Sequence, residues 1–146
     1  SCEIGAITSN ANVEQQKAMA AFGEKLGMAF QIRDDLFDIM GTVDAIGKPI
    51  GFDVKKNMLT LPLIHMFETV GDNKKKSLQR KLKQHASRKD IFAIQKLIKS
   101  HGGIKYATEQ MERISQEALD ELNIFPESEY KDALMAVAQF NLGRES

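Results

Sequence analysis

The residues best placed to do chemistry lie in one run, Phe30-Gln31-Ile32-Arg33-Asp34-Asp35-Leu36-Phe37-Asp38. Three carboxylates and one amide fall between Gln31 and Asp38. At about 100° per residue, a helix puts Gln31, Asp34 and Asp38 on one face, with Asp35 beside them. Like charges that close repel unless cations sit among them. Hard oxygen donors suit Mg²⁺, which takes one or two carboxylates and completes its shell with water and substrate phosphate. The run therefore suits a divalent cation such as Mg²⁺ among its carboxylates. The alternative is a solvated acidic patch. Flanking Phe30, Ile32, Leu36 and Phe37 favour a turn inside a helical bundle, where unpaired carboxylates would be costly.

The elements that must carry this run read as helices throughout. Asn12 and Gln15 have capping-box spacing. No proline interrupts Val13 to Met40, and Phe22, Leu26, Phe30, Leu36 and Ile39 keep near-helical spacing. A helix of about 28 residues would be about 42 Å long. Ala20, Ala21, Gly23, Gly27 and Ala29 spread small residues over several faces. A mid-helix glycine costs about 1 kcal/mol against alanine, so close packing is expected to compensate and the helix is predicted to be buried and central. Gly41 is a plausible stop, and Thr42 to Lys56, with Gly47, Pro49 and Gly51, is predicted to loop over the carboxylates. Thr60 opens a helix with Pro62 in its first turn, marked by Leu63, Ile64, Phe67 and Val70. Gly71-Asp72-Asn73 reads as a turn. Lys74–His85 and Lys89–Ser100 read as two amphipathic helices. Beyond Gly102-Gly103, the stripe Ile104, Ala107, Met111, Ile114, Ala118 and Leu122 is the cleanest in the chain. Tyr130, Leu134, Val137, Ala138 and Phe140 mark a last helix. No stretch alternates as a strand, so the fold class is all-α.

With 146 residues, 42% hydrophobic and 27% charged, the chain is long enough for a domain with a real core. The lone cysteine, Cys2, excludes an internal disulfide. No apolar run reaches the roughly 18 residues of a membrane span, and a cytoplasmic protein is expected. Net charge is zero, yet Lys74 to Lys105 holds eleven Lys or Arg against Asp90 alone. Such a segment is most simply a solvated face; peripheral contact with acidic lipid through residues 74–105 is the functional alternative. Nucleic acid is not expected, since no aromatic platform accompanies the charge. His65, His85 and His101 are scattered and read as surface or satisfied side chains, and the methionines as core filler.

Gly27-Met28-Ala29-Phe30-Gln31-Ile32-Arg33-Asp34-Asp35-Leu36-Phe37-Asp38 resembles the second aspartate-rich motif of the trans-type polyprenyl diphosphate synthases. Gly47-Lys48-Pro49-Ile50-Gly51-Phe52-Asp53-Val54 and Thr60-Leu61-Pro62-Leu63-Ile64 follow in that family's order. The resemblance implies the C-terminal portion of the isoprenoid-synthase helical bundle and head-to-tail chain elongation. In that reaction an allylic diphosphate ionises and its carbocation alkylates isopentenyl diphosphate. It further implies that Asp34 ligates Mg²⁺ directly and that Asp35 and Asp38 hold metal-bound waters or brace the cluster. Gln31 would face the diphosphate or early carbocation, and Lys48 would pair with the diphosphate. Asp53 caps or braces the loop, with metal binding as the alternative, and Arg144 could fold back toward phosphate. One departure stands out. The family's second diphosphate lysine is replaced by the pair Asn57-Met58, leaving Lys55 or Lys56 to reach the same phosphate.

Members of the family are about twice this length, homodimeric, and carry a first aspartate-rich motif and an Arg- and Lys-rich isopentenyl site that this sequence does not contain. Residues 1–146 are therefore expected to form the C-terminal half of a synthase, inactive alone. Two alternatives belong to other classes: a non-catalytic helical subunit modulating a complete synthase, and a terpene cyclase. The intact carboxylates count against the first. The absence of an Asn/Asp-Ser/Thr-Glu metal set counts against the second.

Overall fold

The computed structural model describes residues 1–40, 59–83 and 87–142, which form helices, turns and no strand. The helices are α1 (Cys2–Thr8), α2 (Val13–Met40), α3 (Leu61–Thr69), α4 (Asp72–Lys83), α5 (Arg88–Ser100), α6 (Gly103–Glu121) and α7 (Glu129–Leu142), with a 3₁₀ turn at Leu122–Ile124. Packing divides the chain into two compact units, residues 1–31 with 109–146, and residues 32–108. Each has its own apolar cluster.

In the first unit, α2 starts where its cap dictates. Gln15 N–H donates to Asn12 Oδ1 at 2.9 Å, and Asn12 N–H donates to Gln15 Oε1 at 3.1 Å. Phe22, Ala118, Leu122 and Ala138 are buried together, and Leu26 and Leu134 pack against them. Gly23 behaves as its spacing suggests: a Cβ there would stand 3.0 Å from Cys2 Cβ, so the bare backbone lets α1 approach. Gly27 does not; a Cβ there would meet nothing within 4 Å. The expected buried central helix is corrected accordingly. α2 buries Ala18, Phe22, Ala29, Asp35, Leu36 and Ile39 and leaves Met28 and the Gly27 side exposed. α7 is also turned from expectation. Lys131 and Ala138 face inward, while Tyr130, Val137 and Phe140 are exposed. The Lys131 ammonium is satisfied locally, donating to Phe125 O at 3.0 Å and Glu127 Oε1 at 2.7 Å. An ion pair between Lys25 and Glu121 joins α2 to α6. The hydrogen bond to Glu121 raises the Lys25 pKa above its usual value.

The second unit packs the end of α2 with α3, α4 and α5 around Ile39, Leu63, Met66, Leu78, Ile94 and Ile98. Thr60 is the N-cap of α3, and Pro62 sits in the first turn, where its missing N–H costs nothing. Met66 takes the buried position expected of Ile64, which is 37% exposed. The predicted turn at residues 71–73 is shorter: α4 already begins at Asp72, whose carboxylate suits the positive end of a helix. α5 opens with a capping box in which Asp90 N–H donates to Ser87 Oγ, and Ser87 N–H and Oγ–H donate to the Asp90 carboxylate. Those bonds, with Lys81 Nζ at 2.9 Å, hold the Asp90 pKa down at about 2. Gly102, at φ +75°, closes α5 in the left-handed region. At Gly103, a Cβ would lie 2.6 Å from Pro62 O, so only glycine lets α6 start against α3. His65 stacks on Tyr106 with centroids 4.3 Å apart.

Candidate functional site

The helix period places Gln31, Asp34 and Asp38 along one face of the last three turns of α2. Gln31 and Asp34 are exposed, Asp38 is half-buried, and Asp35 is only 8% exposed. The turn is anchored by Leu36 and Ile39, at 3% and 2% exposure. Phe37, expected inside, is 37% exposed, and Phe30 and Ile32 are half-buried. The acidic turn thus has a core side and an open side, and Asp34 is on the open one.

Electrostatics reinforce the carboxylates. The C-terminal end of a helix carries a partial negative charge, and the last turn of α2, which contains Asp38, has no basic residue to offset it. The nearest cation along the helix is Arg33, whose guanidinium carbon lies 5.9 Å from the Phe37 ring centroid, a cation–π distance. The spacing of four between Arg33 and Phe37 is the signal of this pair in the sequence. Among the described residues, no group of three or more His, Cys, Asp or Glu side chains gathers to hold a metal ion. The donors fit Mg²⁺ in kind, as hard oxygens on an exposed helix face, but a single helix supplies only the one or two carboxylates that Mg²⁺ takes from protein.

Lys48 lies outside the described residues, as do Asp53, Lys55, Lys56, Asn57, Met58, His85 and Arg144. His101 Nδ1 lies 3.1 Å from Ser100 Oγ and stands apart from the acidic turn in sequence. The Thr60 hydroxyl is buried with no hydrogen-bond partner among the described residues and does not cap α3. The first unit contains an apolar cavity of about 270 Å³ lined by Met19, Leu122, Phe125, Tyr130, Lys131 and Leu134 among others. Its one charged group, Lys131, is already bonded, and none of the acidic-turn residues lines it.

The family model described as polyprenyl synthetase matches residues 1–99. The octaprenyl diphosphate synthase of Haemophilus influenzae is 31% identical over 142 residues, 97% of this chain and 43% of that protein. A prenyl transferase of Porphyra purpurea is 31% identical over 146 residues, 100% of this chain and 44% of that protein. Among solved structures, the geranylgeranyl pyrophosphate synthase of Bacteroides thetaiotaomicron superposes with a TM-score of 0.87 at 30% identity, covering 98% of this chain and 47% of that one. The polyprenyl synthase of Caulobacter crescentus, complexed with calcium and isoprenyl diphosphate, gives 0.84 at 26% identity, covering 99% and 44%. The chain spans less than half the length of these relatives. Its fold is the all-helical one they share, and the chain belongs to the polyprenyl synthetase family.

Proposed function

We propose that these residues are the C-terminal half of a polyprenyl diphosphate synthase that condenses an allylic diphosphate with isopentenyl diphosphate. The observation that carries this is the α2 end. Asp34 and Gln31 are exposed on the face that also carries Asp38, where the helix terminus adds negative charge and the last turn has no basic residue. Such a surface binds cations, and a relative of this fold is described as holding both calcium and isoprenyl diphosphate.

Asp34, Asp35 and Asp38 would hold Mg²⁺, which when bound neutralises charge building on the departing diphosphate. Asp34 would be the direct ligand, and Asp35, anchored beside Leu36, and Asp38 would fix the acidic face and the water around the ion. The Gln31 amide, one turn earlier, orients the diphosphate or faces the early cation. Lys48 pairs with the diphosphate as a point charge. The whole enzyme works as a cytoplasmic homodimer, and the 146 residues alone, with one acidic face, do not turn over.

The test is an assay with Mg²⁺, an allylic diphosphate and isopentenyl diphosphate. The whole enzyme elongates the chain and its Asp34→Ala variant loses that activity. Undiminished turnover by the variant overturns the assignment of Asp34, and turnover by residues 1–146 alone overturns the half-site.

A further inference from the structure

The hairpin of α4 and α5 carries the chain's largest charge imbalance. Leu78 and Leu82 of α4 and Ile91, Ile94 and Ile98 of α5 turn into one core, and Lys81 and Asp90 bridge the two helices. The opposite faces are therefore directed outward. On α4 the exposed side includes Lys76, Arg80 and Lys83, spaced four and three. On α5 it includes Lys89, Phe92, Lys96 and Lys99, spaced three, four and three. Phe92 is 71% exposed, an aromatic side chain standing among three lysines. The hairpin's acids do not compensate: Asp72 sits at the start of α4, and Asp90 is engaged by Ser87 and Lys81.

From this we infer that the outer face of the α4–α5 hairpin docks onto an anionic phospholipid surface, with Phe92 entering the headgroup–acyl boundary. Charge complementarity selects the occupant. A protein partner would have to desolvate this many cations against matching acids. A lipid headgroup layer lets lysine stems lie along it while their ammonium groups stay wet. Exposed lysines beside one exposed aromatic supply the two parts of peripheral attachment, attraction to anionic headgroups and a small apolar anchor at the interface. A nucleic-acid surface would favour several stacking aromatics, and Phe92 is the only aromatic residue of α4 and α5. The inference rests on charge and exposure, not on the transferase assignment, and it is tested without turnover.

The chain contains no tryptophan, so Phe92→Trp gives a single reporter at the centre of the face. The experiment titrates this variant with phosphatidylcholine vesicles and with vesicles containing phosphatidylglycerol, at low and high salt. The expected result is a blue-shifted, lipid-quenchable Trp emission with anionic vesicles only, reversed by salt. Vesicle co-sedimentation of the chain with native Phe92 should then weaken about 5-fold for each of Lys89, Lys96 and Lys99 replaced by Gln. Phe92→Ser should weaken it further without changing its salt dependence. Four results overturn the inference: no binding; equal binding to both vesicle types; a Trp shift that follows protein concentration without vesicles, which assigns the face to a second copy of the chain; and binding to RNA but not to anionic vesicles.

Discussion

Residues 32–108 carry two charged surfaces of opposite sign, built in opposite ways. On α2 the acids adjoin the core: Asp35 is buried beside Leu36, Asp38 is half-buried, and Asp34 is exposed. On α4 and α5 the cations stand away from the core, on faces opposite the buried leucines and isoleucines. A surface built the second way can lose a charge with little effect on folding. A surface built the first way ties part of its charge to the core and places it where a helix terminus adds to the field. Under the two proposals, the acidic turn would take one ligand in one pose and the basic hairpin a diffuse anionic surface.

The largest expected effect sharpens this contrast at the acidic turn. In the whole enzyme, Asp34→Ala should lower kcat by about 10²–10³, the usual loss when a group stabilising transition-state charge is removed. Lys89→Gln should leave kcat unchanged in the same assay. Stability should separate the two sides of the turn. Leu36→Ala is expected to cost about 2–5 kcal/mol and Phe37→Ala much less, read by urea denaturation; equal costs would mean that the turn has no core side. On the basic hairpin, the folding determinant is its cap rather than its charge. Ser87→Ala should cost about 1 kcal/mol, whereas Lys96→Gln should be neutral. Because the Asp90 pKa is depressed to about 2, its contribution is present above the unfolded carboxylate value. It is lost as pH falls through about 2, so the Ser87→Ala penalty should shrink in an acid titration followed by circular dichroism. The smallest effect concerns α2 itself. Gly27→Ala should stabilise this chain by about 1 kcal/mol, the helix-propensity difference, and Gly23→Ala should not, since its Cβ would press on Cys2.

Much of this was legible in the sequence because it depends on local rules. The Asn12–Gln15 cap and the proline-free run to Met40 set α2, and the helix period alone put Gln31, Asp34 and Asp38 on one face. The Ser87-x-x-Asp90 box is equally local, though surrounded by lysines in the sequence. What could not be read is which side of a helix finds a neighbour. Tyr130, Val137 and Phe140 are as apolar as a core stripe, yet Lys131 and Ala138 are the buried ones, because burial is set by the elements that pack against α7 and not by its own pattern. The same holds for Gly27, for Ile64, and for the depth of each aspartate. Periodicity gave their common face. Tertiary packing decided that Asp35 is buried and Asp34 open.

The most direct test of the central claim, that the α2 acids bind diphosphate through a divalent cation, is calorimetric titration of inorganic diphosphate into the chain with and without Mg²⁺, repeated on Asp34→Asn. Binding that requires Mg²⁺ and is lost in the variant is the expected result. Binding of equal strength without the metal, or undiminished in Asp34→Asn, would contradict the account.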